Sequence, residues 1–462
     1  MTKVFKVLLL NCNGSDFVNR VDLKYEGLGL AYLASYIREY GGFRHVKISN
    51  VGRDLGSTGI FDYKPDVVGL SSITQNYNIA VDVARKIKEK LDVPVVVVGG
   101  YHISALPSSL SSDMNVGIIG EGENSFLEVL NCYERYGSGS DVLYRVNGLA
   151  YRDDKGSLKL TEKRRLIRPL DDIPFPARDL IDTSSDQFYM FTSRGCPYNC
   201  VFCSSTNFWG SVRFHSAEYV HDEIMYLIEK YKVRHIDICD DLFIANRRRL
   251  SRLQRMLDFS DVRVTFSCSA RANLVDGNIA RLLKSMNVRK VTMGLESGYH
   301  KTLKYLKGDS ISVGDNSYAV NVLKEAGLSV GASFIIGCPD ESESDCLATL
   351  DFIKRSKIDV GETYILLPLP NTPLWDECKE KGLVSDCMDW SKLRIYVDDV
   401  SDDRIIVSNR VSKERLMEIH KMFQKEWRKR FIKYSIFYCL RHLDKAGFFV
   451  FERFKTLSSR VL

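Results

Sequence analysis

Three closely spaced cysteines are the residues best suited to chemistry in this chain of 462 residues. Cys196, Cys200 and Cys203 follow the spacing CxxxCxxC, which folds three thiolates around one centre. Thiolates suit iron–sulfur clusters or zinc. A [4Fe–4S] cluster has four irons, so three cysteines leave one iron free for an outside ligand. The spacing alone leaves open a cluster, a structural zinc with a fourth ligand from elsewhere, and buried cysteines that bind nothing.

The composition is that of a folded soluble protein, with 45% hydrophobic and 27% charged residues. The length predicts two main domains and an appendage. The apolar run before Asn11 is too short for a signal peptide. Without an export signal, twelve cysteines predict a protein of the reducing cytoplasm, where cysteines seldom form disulfides. The segment from Arg410 to Leu462 carries a charge of +9 and the rest of the chain −3. A nucleic-acid partner for the body of the protein is therefore not supported.

Two series of alternating strands and helices must position the cysteines. The first series predicts a flavodoxin-like or Rossmann-like α/β domain over residues 1–140, which binds ligands at the carboxyl ends of its strands. A linker with a small hairpin follows over residues 141–184. The strands predicted for this domain are Lys6–Leu10, His45–Val51, Asp66–Ser71, Val93–Gly99 and Val116–Gly120.

The second series predicts a partial (β/α)6 barrel of the TIM type over residues 185–385. Residues 386–462 are predicted to be helical and basic, with Ser412 as the N-cap of a helix over Ser412–Tyr434. Aromatic and basic residues alternate along that helix, and we expect it to pack on the barrel rather than on a membrane surface or an acidic partner. The six barrel strands are predicted at Tyr189–Thr192, His235–Cys239, Val264–Cys268, Lys290–Leu295, Val330–Ile336 and Thr363–Leu367.

The cysteine segment resembles the radical S-adenosylmethionine (SAM) superfamily, whose signature is CxxxCxΦC with Φ aromatic. The resemblance implies that the three cysteines hold a [4Fe–4S] cluster whose fourth iron chelates SAM. Further residues typical of the family follow at the expected strand ends. For one of them, Arg271, a structural salt bridge at the barrel rim remains an alternative to SAM binding. The SAM-binding residues that the resemblance implies are Phe202, Asp240, Asp241, Arg271, Glu296, Ser297 and Gly337.

Other cysteines near these motifs are expected to be small buried residues. They are Cys239 and Cys268 in predicted strands, and Cys338 beside Gly337. A catalytic thiol at Cys338 stays open. The sequence identifies no catalytic residue beyond the groups that hold cofactors.

Gly99-Gly100-Tyr101-His102 follows the fourth predicted strand and Gly120-Glu121-Gly122-Glu123 follows the fifth. With these elements the N-terminal domain resembles the cobalamin-binding domain of one large radical SAM class. It lacks GxGxxG after the first strand, where Asn11-Cys12-Asn13-Gly14 stands, so a dinucleotide site is not favoured. It also lacks DxHxxG, so cobalt would have no histidine from that loop, and His102 is expected to be a turn or capping residue. A domain that has lost its cofactor remains an alternative. The candidate cobalamin-binding residues are Ser71, Ser72, Gly99, Gly100, Gly120, Glu121 and Gly122.

These resemblances imply a radical SAM enzyme that generates a 5′-deoxyadenosyl radical and receives electrons from a flavodoxin-type or ferredoxin-type donor. The first hypothesis is cobalamin-dependent methylation of an unactivated carbon in a natural product, a lipid or a peptide. One alternative is a radical SAM dehydratase, cyclase or oxidoreductase whose N-terminal domain is only structural. The other is a non-catalytic iron–sulfur or cobalamin sensor. The sequence does not name the substrate.

Overall fold

The structure is a computed structural model that describes residues 4–12, 27–52, 55, 59–91, 95–137, 140–183, 187–395 and 403–441. The predictions for Asn13, Gly14 and residues 442–462 lie outside the described residues, as does the start of the strand predicted over Val93–Gly99. Two large sheets follow one another along the chain, with a two-stranded ribbon as the third sheet among the described residues.

The first part of the chain forms one seven-stranded sheet. Its strands are β1 (Lys6–Cys12), β2 (His45–Val51), β3 (Val67–Ser71), β4 (Val95–Gly99), β5 (Val116–Ile118), β6 (Leu149–Arg152) and β7 (Leu158–Leu160). The order across the sheet is β2-β1-β3-β4-β5-β6-β7, with the first five strands parallel and the last two antiparallel. Because β4 is a run of four buried valines before its glycine, it suits a strand that is covered on both faces.

Helices cover both faces of this sheet. They are α1 (Leu28–Gly41), α2 (Ile60–Tyr63), α3 (Tyr77–Lys90), α4 (Tyr101–Ala105) and α5 (Gly122–Tyr136). Apolar residues of α1 and α5 share one buried cluster with the sheet. Those of α3 share another that continues to Trp375 and Trp390 in the second half of the chain. The two sheets are therefore joined by a common apolar core.

The hairpin predicted inside the linker is present, but it is part of the sheet. Strand β6 pairs antiparallel with β5, so β6 and β7 add two strands to the five that were predicted. Leu149 and Ala150 are fully buried there. The pairing covers the edge that β5 would otherwise expose.

A six-stranded parallel sheet follows. Its strands are β8 (Gln187–Met190), β11 (His235–Ile238), β12 (Thr265–Ala270), β13 (Val288–Glu296), β14 (Ser329–Ile336) and β15 (Val360–Ile365). Their order is β15-β14-β13-β12-β11-β8, so β8 and β15 stand at the two edges, as a partial barrel requires. A short antiparallel ribbon of β9 (Ser193–Arg194) and β10 (Arg213–Phe214) lies between β8 and β11 along the chain.

Helices follow the barrel strands in alternation. They are α6 (Ser205–Trp209), α7 (Ala217–Tyr231), α8 (Arg247–Phe259), α9 (Gly277–Ser285), α10 (His300–Lys307), α11 (Val313–Glu325), α12 (Glu343–Arg355) and α13 (Pro373–Glu380). Strands β8 and β11 end before their predicted limits, since Thr192 and Cys239 lie beyond them. The Thr192 amide donates to the Asp240 side chain at 2.6 Å instead of continuing a strand ladder.

The last described helix, α14 (Lys413–Arg441), packs on the barrel. Phe423 is fully buried, and the Trp427 indole donates to Thr363 Oγ1 of β15 at 2.9 Å. Ser412 accepts a hydrogen bond from the Arg415 amide at 3.3 Å, so the predicted N-cap and the predicted packing are confirmed for this part of the helix. Among the described helices, none is both long and apolar enough to cross a membrane.

Candidate functional site

The cysteine loop is closed at its base by a two-stranded ribbon. Strands β9 and β10 pair antiparallel with Arg194 opposite Arg213, so residues 195–212 form the loop between them. Gly195 begins the loop with φ +92°, and a Cβ there would lie 2.8 Å from the Ser211 carbonyl oxygen. Glycine is therefore required where the chain turns into the cysteine segment.

All three cysteines of the loop are half-buried. The Cys203 amide donates to the Cys200 carbonyl at 3.1 Å. The Val201 amide donates to the Leu306 carbonyl at 3.1 Å, which ties the loop to α10 of the barrel. These bonds fix the backbone that carries the cysteines.

The chemistry of this donor set fits a cluster. Across the described residues, no group of three or more His, Cys, Asp or Glu side chains is arranged to hold a single metal ion. A [4Fe–4S] cluster binds each thiolate through a different iron, so its ligands need not converge on one ion. Burial raises the pKa of Cys196 and raises that of Cys203 to about 11. A bound cluster must therefore displace those protons.

Arg271 places a buried positive charge beside the cysteines. Its Nη1 donates to Cys200 Sγ at 3.5 Å, its Nη2 donates to Ser310 Oγ at 3.0 Å, and its guanidinium lies 3.8 Å from the Tyr198 ring centroid. Its Nε has no hydrogen-bond partner among the described residues. The alternative of a salt bridge at the barrel rim is not found for Arg271 in the described part of the chain. Its charge is therefore available to bind an anionic ligand.

The adjacent residues Asp240 and Asp241 differ in what they contact. Asp240 is buried and accepts hydrogen bonds from the amides and the hydroxyls of Thr192 and Ser193, at 2.5 to 3.0 Å. Asp241 is more exposed and accepts a hydrogen bond from Ser205 Oγ at 2.6 Å, and desolvation of its carboxyl raises the pKa of Asp241. Asp240 therefore holds the entrance of the cysteine loop, and Asp241 has the greater capacity for a ligand.

Glu296 and Ser297 lie at the carboxyl end of β13, the fourth barrel strand, where the sequence predicted them. Glu296 is buried, has φ +61° and lies 3.3 Å from Lys307 Nζ. Ser297 is fully buried, and its Oγ lies 3.0 Å from Thr349 Oγ1. This contact orders the turn that carries Glu296.

Two further predicted SAM residues lie in the loop and after β14. Gly337 has φ +84°, and its amide donates to Glu341 at 2.6 Å. Phe202 is half-buried in the cysteine loop. The positive φ explains why glycine stands at this turn after β14.

Of the three other cysteines near these residues, two are buried, as predicted, and Cys239 is not. Cys268 and Cys338 are buried, and burial raises the pKa of each thiol. Cys239 is half-buried, and its thiol donates to the Asp237 carbonyl at 3.4 Å. A high pKa disfavours the reactive thiolate, so a catalytic role for Cys338 gains no support.

The residues predicted to bind cobalamin gather at the carboxyl edge of the N-terminal sheet. Ser71 is the last residue of β3 and lies opposite Gly99, the last residue of β4. Gly122 is the first residue of α5, just beyond β5. Neighbouring strand ends therefore bring these three positions to one edge.

Glycines and one buried hydroxyl line that carboxyl edge. A Cβ on Gly99 or Gly120 would meet no described atom within 4 Å, so the space beside them is open. Gly100 has φ +106°, and a Cβ there would lie 2.3 Å from the Ser72 carbonyl oxygen. Ser72 Oγ is buried without a hydrogen-bond partner among the described residues. An open edge with an unsatisfied hydroxyl fits a large flat ligand.

The Glu121 side chain turns to the cysteine loop. Its carboxylate accepts hydrogen bonds from Arg194 at 2.7 Å, from Arg213 at 2.9 Å and from the Ile167 amide at 3.1 Å. Glu123 accepts a further hydrogen bond from Arg194 at 2.5 Å. These contacts use both carboxylate oxygens of Glu121. Its predicted role in cobalamin binding therefore remains a prediction for its backbone and no longer for its side chain. The two arginines were not predicted from the sequence, since no local pattern connects them to the glutamates.

His102 is a buried core residue, and the prediction of a turn or capping role for its side chain is wrong. Its ring centroid lies 3.9 Å from that of Tyr77 and 4.5 Å from that of Trp390, and its Nδ1 lies 3.2 Å from Thr74 Oγ1. Burial lowers the pKa of His102 to about 3. The neutral ring is thus part of the apolar core between the two sheets.

Comparison with known proteins shows the family to which the chain belongs. Residues 190–353 match the radical SAM superfamily and residues 14–130 match the B12 binding domain. An uncharacterized methyltransferase of Pyrococcus horikoshii, PH0819, is 31% identical over 89% of this chain and 91% of its own length. This chain is a radical SAM enzyme of the cobalamin-binding class. The predicted family, fold class and cofactors, namely a [4Fe–4S] cluster, SAM and cobalamin, are thereby confirmed.

Two further relatives agree with this radical SAM enzyme in sequence or in fold. Cytidylyl-2-hydroxyethylphosphonate methyltransferase of Streptomyces wedmorensis is 28% identical over 82% of each chain. The solved structure of the radical SAM methyltransferase TsrM from Kitasatospora setae, with cobalamin and a [4Fe–4S] cluster bound, superposes with a TM-score of 0.68. It is 18% identical over 82% of this chain and 75% of TsrM, which shows a shared fold.

Proposed function

We propose that this radical SAM enzyme is a methyltransferase that methylates an unactivated carbon of a natural-product, lipid or peptide substrate. The observation that carries the proposal is the contact between its two cofactor regions. Arg194, two residues before the first cysteine of the loop, binds Glu121 at the carboxyl edge of the N-terminal sheet. When bound, the cofactors supply one-electron cleavage of SAM and a transferable methyl group.

The chain's own residues bind and orient these cofactors. Cys196, Cys200 and Cys203 would hold the cluster through three irons. Asp241 would accept hydrogen bonds from the methionine ammonium of SAM, and Arg271 would pair with its carboxylate. Both residues combine a charge with spare hydrogen-bonding capacity beside the cysteine loop.

The remaining SAM contacts would come from the loop and the strand ends. Phe202 and Gly337 would lie along the adenine, and Glu296 would lie near the ribose. Ser297 would support that turn through Thr349.

Asp240 has a supporting role in this proposal. Thr192 and Ser193 already use both of its oxygens, so it would orient the loop entrance and affect SAM through its neighbours. Its predicted place among the SAM residues is therefore proposed as indirect.

Cobalamin would lie on the open carboxyl edge of the N-terminal sheet. Support comes from the space beside Gly99 and Gly120 and from the unsatisfied hydroxyl of Ser72. Backbone and hydroxyl contacts would come from Ser71, Ser72, Gly99, Gly100, Gly120 and Gly122, and from the backbone of Glu121. We further infer a cytoplasmic enzyme that receives electrons from a flavodoxin-type or ferredoxin-type protein and has no nucleic-acid partner.

Anaerobically purified, reconstituted protein tests the proposal. We expect iron and cobalt in the amounts of a [4Fe–4S] cluster and a cobalamin per chain. With SAM that carries a deuterated methyl group, the reduced protein should yield 5′-deoxyadenosine and transfer the deuterated methyl group to cobalamin, both measured by mass spectrometry. SAM cleavage without retained cobalamin would favour a dehydratase, cyclase or oxidoreductase. Failure to cleave SAM and to methylate cobalamin would favour a binding protein.

A further inference from the structure

A buried set of four charged side chains joins the N-terminal sheet to the cysteine loop, and the proposed chemistry gives these side chains no role in binding either cofactor. We call it the interdomain ion cluster. Glu121 and Glu123 follow β5, whereas Arg194 lies on β9 and Arg213 on β10. Their side chains are only 3% to 10% exposed.

Glu121 is the centre of the interdomain ion cluster. Its Oε1 lies 2.7 Å from Arg194 Nη1 and 2.8 Å from Arg213 Nη1. Arg194 and Arg213 are opposite one another in the β9–β10 ribbon. One carboxylate therefore binds both strands at the base of the loop that carries the cysteines.

The same segment reaches the proposed cobalamin edge. Gly120, with φ +80° and open space beside it, directly precedes Glu121, and Gly122 follows it. A movement of this segment relative to the ribbon would move the cobalamin edge relative to the cysteine loop.

Burial of four charges has a desolvation cost that an apolar contact of the same size would avoid. In some proteins, buried ion pairs with defined geometry fix the register and orientation of the elements they join. Transfer reactions depend strongly on such geometry, since small misplacements of reacting groups slow them. A fixed spacing between the cysteine loop and the cobalamin edge would account for retaining four buried charges despite their desolvation cost.

We infer that Glu121 is a positioning residue that sets the separation and orientation of the cluster and cobalamin by clamping the β9–β10 ribbon to the N-terminal sheet. The inference rests on the proposed function. In this inference the Glu121 side chain fixes the distance between the two cofactors without contacting either of them.

The test measures that distance directly. Protein loaded with cobalamin and the cluster is frozen with the cluster reduced and cobalamin as cob(II)alamin, and pulsed EPR records the magnetic coupling between the two centres. We expect one narrow distribution of couplings for the natural protein. Glu121→Ala should broaden it, and Glu121→Gln, which keeps the shape and loses the charge, should broaden it less.

Glu223→Gln is the matched control. Glu223, on α7, forms another buried ion pair, 2.8 Å from Arg178, that does not include the ribbon. The substitution should reduce thermal stability and leave the coupling unchanged. If Glu121→Ala does not fold, Glu121→Gln carries the test.

Couplings of natural width in every Glu121 variant that retains both cofactors would overturn the inference alone. Equal broadening in Glu223→Gln would also overturn it, because general loosening would then be the cause. A natural protein that retains no cobalamin would overturn the proposed function, and this inference with it.

Discussion

The two strand-end regions of the protein are built differently. The barrel mouth presents charged and thiol side chains that local hydrogen bonds hold in place, such as Arg271 beside Cys200. The carboxyl edge of the N-terminal sheet presents backbone and open space at Gly99 and Gly120. In the proposed function, the first region would recognise SAM by its charged and polar groups, and the second would recognise cobalamin by its shape.

This difference determines how each region can be broken. Deleting one side chain from the barrel mouth removes a specific bond. At the glycine edge there is little to delete, and added volume is the effective change. One side-chain deletion at the barrel mouth and one added side chain at the glycine edge are therefore informative. The pH dependence of stability from one buried group in each half gives a third comparison.

Cys200→Ala should have the largest effect, because it removes one of three proposed cluster ligands. We expect loss of the iron–sulfur absorbance and a fall in 5′-deoxyadenosine formation of about a thousandfold, equivalent to roughly 4 kcal/mol in the barrier. The control is Cys387→Ala, which removes an exposed free thiol. A Cys200→Ala protein with a full complement of iron and normal SAM cleavage would contradict the assignment of the cluster to this loop.

Gly99→Leu tests the glycine edge. Its side chain would enter space that contains no described atom within 4 Å of the Cβ, so the fold should tolerate it. If cobalamin uses that space, its affinity should fall roughly tenfold, about 1.4 kcal/mol, while the iron content stays unchanged. Equilibrium binding measured by cobalamin absorbance checks this.

Gly314→Leu is the control for added volume, since Gly314 is an exposed glycine in α11 of the barrel. It should leave cobalamin affinity unchanged. Unaltered binding by Gly99→Leu would place cobalamin elsewhere or show that the domain does not bind it.

The sequence was most informative where a pattern is local. The succession of parallel strands along the chain was predicted from alternating apolar runs, and the cysteine loop was predicted from the spacing of its cysteines. Gly100 was predicted at a strand end, and its positive φ and its closeness to Ser72 explain why glycine stands there. Each of these signals depends on residues that are neighbours in the chain.

Contacts between distant segments were not predictable in this way. Glu121 and Arg213 are separated by 92 residues, so nothing in the local sequence indicated an ion pair. Asp240 and Asp241 are adjacent acids with the same expected role, yet one is buried against Thr192 and the other is exposed. Only the fold distinguishes a supporting carboxylate from one that is available to a ligand.

Two buried groups give the two regions opposite pH dependence. Burial lowers the pKa of His102, in the N-terminal half, to about 3. Unfolding lets it bind a proton below about pH 6.5, so its contribution to stability is lost as the pH falls from there towards 3. Burial raises the pKa of Glu341, after β14, to about 7. The folded state keeps this proton, so the contribution of Glu341 is present in acid and is lost as the pH rises from about 4.5 to 7.

His102→Gln and Glu341→Gln separate the two contributions, which should be the smallest of the expected effects. Urea unfolding at about pH 6.5 and about pH 5 gives the free energy of unfolding for each variant and for the natural protein. Relative to the natural protein, His102→Gln should gain about 1 kcal/mol on acidification, and Glu341→Gln should lose a similar amount. The signs must be opposite because one group is buried neutral as a base and the other as an acid. Parallel profiles for the two variants would show that these groups do not titrate between folded and unfolded states as their burial requires.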